Sequence, residues 1–147
     1  MPDGTVLAFD FGTRRIGVAV GETMLKSARP LTTITAEANA PRFEAIGRLI
    51  AEWQPACLVV GLPLALDGSE HDMTARSRRF ANQLHGRFGL PVELADERLS
   101  SAAAESHLRA RGHDPRRDKA AIDAAAAAVI LQSYFDRTPH AEPAPRS

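Results

Sequence analysis

Three carboxylates could carry chemistry, and two of them, Asp10 and Asp123, fall where an acid is costly for packing alone. Asp10 ends the apolar run Val6-Leu7-Ala8-Phe9, Glu97 follows Val92-Glu93-Leu94-Ala95, and Asp123 sits among Ala120, Ala121 and Ala124 to Ala128. If the three converge, their mutual repulsion is relieved by protonation or by divalent cations, and hard oxygen ligands favour magnesium or manganese. Two such ions, about 3.5–4 Å apart, can stabilise the attacking and leaving oxygens of a phosphodiester displacement. Asp10, Glu97 and Asp123 are therefore the candidate catalytic and metal-binding residues. The alanines suit this reading, because small side chains let a helix backbone approach a sheet closely enough for Asp123 to reach a metal.

Each acid also has a plainer explanation. Asp10 can cap the turn at Gly12, Glu97 can favour a nearby helix N-terminus, and Asp123 can pair with Lys119 one turn earlier. Around the acids, Gly12 and Gly17 permit close backbone approach, while Thr13, Arg14 and Ser100 offer donors for a phosphate. Both glycines can equally serve turns and strand packing only. Arg76, Arg78 and Arg79, and further on Arg116, Arg117 and Lys119, are candidates for a basic surface, although solvated helix faces explain such charges nearly as well.

The elements that must position these residues follow from hydrophobic period. Val6 to Phe9 and Ile16 to Val20 read as two strands joined by the polar Gly12-Thr13-Arg14-Arg15, and Leu31 to Ile34 reads as a third that starts late or lies at an edge because of Pro30. From Pro41, the spacing of Phe43, Ile46, Leu49, Ile50 and Trp53 predicts an amphipathic helix, with Trp53 in the core. Cys57 to Val60 predicts a buried strand closed by Gly61 and Pro63, with Gly61-Leu62-Pro63 as a rigid loop beside a substrate groove. A second helix spans Met73 to Phe88, a strand Val92 to Ala95, a helix follows Ser100 and Ser101, and a last one follows Asp118 to Tyr134. The order predicts an α/β fold: a mixed five-stranded sheet, a three-strand meander plus parallel strands, flanked by helices. With strands one, four and five parallel in its middle, their C-terminal ends share the edge where open α/β sheets place their sites.

Composition bounds what such a site can serve. The 147 residues suit one domain, taken as 1–137 with a disordered tail at 138–147. Lys plus Arg and Asp plus Glu number 18 each, so the net charge is zero and any basic surface must be local. A hydrophobic share of 44% excludes a chain disordered throughout. The one cysteine, Cys57, reads as a small buried hydrophobe in a reducing cytoplasm, and Met1-Pro2-Asp3-Gly4 lacks the marks of a signal peptide. His71, His85, His107, His113 and His140 show no paired spacing for zinc. A soluble, cytoplasmic protein is expected.

Four ordered motifs add a resemblance that runs from Leu7 to about Asp136. They are Leu7 to Val20 with Asp10, Gly12 and Gly17, then Val59 to Leu64 with Asp67-Gly68-Ser69-Glu70, then Asp96 to Ser100, then Ile122-Asp123 with Ala128 to Gln132. Together they resemble the YqgF family, nucleases of precursor 16S ribosomal RNA related to RuvC-type Holliday-junction resolvases. The resemblance implies a ribonuclease H-like fold, the triad Asp10, Glu97 and Asp123, two magnesium or manganese ions, and hydrolysis near the 5′ end of that RNA during ribosome biogenesis. Arg98 and Ser100 would join Gly12, Thr13, Arg14, Arg116, Arg117 and Lys119 in binding substrate. The implied partner is structured RNA or a pre-ribosomal particle, with branched DNA as the alternative, and both monomer and homodimer remain open. A resolvase would need paired sites on a dimer. A noncatalytic nucleic-acid-binding scaffold is opposed by the presence of all three acids. An actin-like kinase, suggested by Asp10-Phe11-Gly12-Thr13, is opposed by length, since such enzymes clasp nucleotide between two domains.

Overall fold

The computed structural model describes residues 4–64, 67–96 and 119–137. Their eight elements are β1 (Thr5–Phe11), β2 (Arg15–Glu22), β3 (Ser27–Thr35), α1 (Asn39–Trp53), β4 (Cys57–Leu62), α2 (Asp72–Phe88), β5 (Val92–Asp96) and α3 (Lys119–Arg137). The strands form one sheet in the order β3-β2-β1-β4-β5. β1, β2 and β3 are the antiparallel meander, and β4 runs parallel to both β1 and β5. The mixed five-stranded α/β architecture read from the sequence is the observed one.

Apolar residues on both sides of β1 put it at the centre: Val6, Leu7, Ala8 and Phe9 are all fully buried. Alternation then sorts the strands into two cores. Leu7, Phe9, Ile16, Val18, Leu58 and Val60 pack with Phe43 and Ile46 of α1 and with Phe80 and Leu84 of α2. On the other face, Val6, Ala8, Ala19, Cys57, Val59 and Ala95 pack with Ala127, Ile130, Leu131 and Phe135 of α3. Trp53 is only half-buried at the margin of the first core, under the guanidinium of Arg29.

Three boundaries differ from the sequence reading. β3 begins at Ser27, ahead of Pro30, because the strand lies at the sheet edge and a register shift between Val18 and Ala19 falls opposite the proline. β4 continues through Gly61 and Leu62, which keep pairing with Ala95 and Asp96, so Gly61 belongs to the sheet rather than to a loop. β5 is an edge strand and not one of the middle three. The helix expected after Ser100 and the tail from Thr138 lie outside the described residues.

Candidate active site

Asp10 stands near the C-terminal end of β1, in step with Val6 and Ala8, and so on the face covered by α3. Its partner across the β1–β2 ladder is Gly17. A Cβ placed on Gly17 would lie 1.9 Å from the carbonyl oxygen of Asp123 and 3.0 Å from the backbone nitrogen of Ala124. Any side chain there would push the helix off the sheet. Farther along the same face of β2, Ala19 is fully buried, and a Cβ on Gly21 would come within 2.8 Å of the Phe135 ring and 3.1 Å of Leu131. The stripe Gly17-Ala19-Gly21 thus receives the helical stripe Asp123-Ala127-Leu131-Phe135. Small residues on both partners bring the α3 backbone down at its Asp123 turn. Gly12 is tightly placed as well, since a Cβ there would meet the carbonyl oxygen of Arg15 at 2.6 Å.

The Asp123 side chain is 21% exposed and accepts a hydrogen bond from Arg15 Nε, with 2.5 Å between Nε and Oδ2. That partner comes from β2, two residues before Gly17. The side chain of Lys119 lies outside the description. Arg15 is 35% exposed, so solvent screens the pair and its contribution is about 1 kcal/mol or less. Its larger effect is orientation: one guanidinium donor fixes the carboxylate while leaving acceptor capacity on its two oxygens.

The loop between β1 and β2 is held from the opposite side of the sheet. Arg42, in the first turns of α1 and only 4% exposed, donates from Nη2 to the carbonyl of Gly12 and from Nε to the carbonyl of Ala36, both at 2.5 Å. Its guanidinium also lies 5.3 Å over the ring of Phe11. Burial pushes the Arg42 pKa down, partly offset by the charge of Glu37. Thr13 and Arg14 at the loop tip are exposed, and Arg14 makes only a loose pair with Glu37, 3.9 Å away with both side chains mostly in solvent. Beside this end of the sheet, Thr74 Oγ1 donates to the carbonyl of Pro63 and accepts from the backbone of His71, which ties the β4–α2 connection to α2.

Arg15, read from sequence as part of the loop but in fact the first residue of β2, and Arg42 are absent from the candidate site residues read from sequence, although each carried a signal. Arg15 alternates with Gly17 and Ala19 along a strand, and Arg42 falls four and seven positions before Ile46 and Leu49, inside the apolar stripe. Of the α2 arginines, Arg76 pairs with Asp72 at 3.0 Å and Arg78 with Glu70 at 2.7 Å, so much of their charge is matched locally. Glu97, Arg98, Ser100, Arg116 and Arg117 lie outside the described residues. Among the described residues no group of three His, Cys, Asp or Glu side chains is placed to hold a metal. The two described acids of the expected triad, Asp10 and Asp123, are brought to one end of one sheet face.

A 3-2-1-4-5 mixed sheet with helices on both faces and acids at the C-terminal end of its central strand defines a ribonuclease H-like α/β domain. The same fold is found in the structure "T. thermophilus RuvC in complex with Holliday junction substrate", which is 21% identical, has a TM-score of 0.51, and covers 90% of this chain and 93% of that one. The chain belongs to the RuvX family, described as Holliday junction resolvase, whose profile matches residues 4–137. Its relatives include a protein of Dechloromonas aromatica, 57% identical over 140 residues (95% of this chain, 96% of the relative). Another, from Methylobacillus flagellatus, is 59% identical over 133 residues (90% and 91%), and one from Pectobacterium carotovorum is 50% identical over 136 residues (92% and 98%). All three carry the name "Putative pre-16S rRNA nuclease". The resemblance read from the four motifs is borne out.

Proposed function

We propose that this protein is a divalent-metal-dependent endonuclease that hydrolyses a phosphodiester bond of precursor 16S ribosomal RNA, near the 5′ end of the mature RNA, in the cytoplasm. The observation that supports this chemistry is that Asp10 is the ladder partner of Gly17 and that the α3 backbone at Asp123 lies against that glycine, so the backbones carrying the two acids come close together. The RNA assignment is supported by the names of the relatives.

The donor set fits magnesium or manganese. Asp10 and Asp123 offer hard oxygen ligands, and β5, parallel to β4 and through it to β1, ends at Asp96, the residue before Glu97. Asp10, Glu97 and Asp123 would hold two ions. Such ions supply charge stabilisation for the attacking water and the leaving 3′-oxygen. Asp10 would contribute its carboxylate from the central strand. Asp123 is aimed by Arg15, and Arg42 holds the Gly12 loop so that Thr13 and Arg14 face solvent where a phosphate would approach. Arg98, Ser100, Arg116, Arg117 and Lys119 are proposed to complete the substrate contacts.

A second reading, a junction resolvase acting on four-way DNA as a dimer, is favoured by the family description and by the fold shared with RuvC. One experiment separates the two: cleavage of end-labelled precursor RNA, alone and in pre-ribosomal particles, beside a four-way DNA junction, with and without magnesium and with oligomeric state recorded. The expected result is magnesium-dependent cutting of the RNA. Symmetric cutting of the junction with the RNA left intact would transfer the assignment to the resolvase.

A further inference from the structure

A cleft of about 270 Å³ opens on the α1–α2 side of the sheet, opposite the acids, against the end of β1 at Phe11. Arg42, Arg76 and Arg79 line it, with Asp72 as the one carboxylate among its lining residues. Asp72 is taken by Arg76 at 3.0 Å. Arg42, although buried, has no carboxylate within ion-pair distance among the described residues. Two carbonyls and an aromatic face solvate its guanidinium, the charge of Glu37 offsets its burial only in part and from beyond ion-pair distance, and hydrogen bonds are described for its Nε and Nη2. A buried charge of this kind is expensive unless an anion compensates it. Asn39 and Asp72, the first residues of α1 and α2, also line the cleft, so the positive ends of both helix dipoles add to the same potential.

We infer that this cleft is a second phosphate subsite, taking an internal phosphodiester of the RNA strand whose scissile bond lies at the acids. Arg42 links the two places physically, since it lines the cleft and holds the carbonyl of Gly12 in the loop beside Asp10. A strand crossing the end of β1 would meet the acids on one side and the arginines on the other. Phe11, the one aromatic of β1 at this edge, is engaged by Phe80, stacked on it at 4.8 Å, and by Arg42, 5.3 Å over its ring, so the cleft offers charge as its means of recognition. The inference rests on the nuclease reading above.

The test is a fluorescence-anisotropy titration of a labelled single-stranded oligoribonucleotide over a salt series, without magnesium, with cleavage of the same RNA followed separately. It compares the unmodified protein with R79E and with R48E, the same charge change on α1 at an exposed residue paired with Glu44 and outside the cleft. R79E is expected to melt like the parent and to bind about tenfold more weakly, with a log-log salt slope smaller in magnitude by about 0.7. R48E should change little, and 5′-hydroxyl and 5′-phosphate forms of the RNA should bind alike. Equal effects of R79E and R48E, or no effect of R79E while the parent binds and cleaves, would overturn the cleft and leave the nuclease reading standing. Binding that depends on the terminal phosphate would reassign the cleft to a strand end and overturn the internal-phosphodiester assignment. A parent protein that neither binds nor cuts RNA overturns both.

Discussion

Gly17 and Asp123 are in direct backbone contact: a Cβ built on the glycine falls 1.9 Å from the aspartate's carbonyl oxygen. Because Gly17 is also the ladder partner of Asp10, one hydrogen in place of a side chain sets the separation of the strand and the helix that carry the two acids.

Substituting Gly17 by Ala should therefore cost both stability and cleavage. The added methyl meets backbone rather than a flexible side-chain tip, so the loss should reach or exceed the range of about 1–3 kcal/mol typical of overpacking. Urea denaturation measures the first and a cleavage assay on the folded variant the second. A G17A protein that matches the parent in both would show that helix contact does not set the acids.

Asp10→Asn and Asp123→Asn should each abolish magnesium-dependent cleavage and weaken metal binding in a calorimetric titration while leaving the fold intact. In the second variant the new amide would keep an acceptor for Arg15, and the ion pair it replaces is partly solvated, so the stability change should stay within about 1 kcal/mol. Retained cleavage with a large drop in melting temperature would make Asp123 purely structural.

Arg42 is expected to resist conservative replacement. Lysine keeps the charge but lacks the planar fork that reaches two carbonyls, and methionine keeps the stem over Phe11 but leaves the carbonyls of Gly12 and Ala36 without this donor. Either change should cost about 1–3 kcal/mol by chemical denaturation. Faster proteolysis between Gly12 and Arg15 should accompany it, and an unchanged cutting rate there would argue against the loop anchor.

Cys57 supplies a pH signature. Burial, with the nearby charge of Glu93, pushes its thiol up from an ordinary value of 9.0 to about 11. Over that interval the unfolded chain has released the proton and the folded chain has not. The stability this contributes is complete below pH 9 and is lost as pH rises toward about 11, by up to about 1.4 kcal/mol per unit. Urea midpoints measured from pH 8 upward should fall more steeply for the parent than for C57A, and parallel curves would contradict the assignment. The native thiol should also react slowly with alkylating reagents at neutral pH.

Much of this molecule is legible in its sequence because local pattern and burial agree. The uninterrupted apolar run from Val6 to Phe9 requires a strand covered on both faces, and the spacing of Phe43, Ile46 and Leu49 requires a helix with one buried side. Asp10 is visible for the same reason, as a charge that ends a buried apolar run. Asp123 is visible against its alanines. These are properties of a residue and its near neighbours, and they determined the sheet and its flanking helices and singled out two of the acids as candidates.

What only the tertiary structure decided are pairings between residues far apart in the chain. Asp123 meets Arg15 across 108 positions because the helix lands on β2. Gly61 looks like a strand end until β5 pairs with it, and Pro30 looks like a strand start until a bulge absorbs its missing donor. The role of Gly17 is the extreme case, since nothing adjacent to it in the chain explains why it must lack a side chain. The cause lies in the backbone of α3, brought against the glycine by the apolar burial of Ala127, Leu131 and Phe135. Hydrophobic burial is nondirectional and acts along a whole face, so it places the helix. The one position where helix and strand touch backbone to backbone then follows from packing geometry.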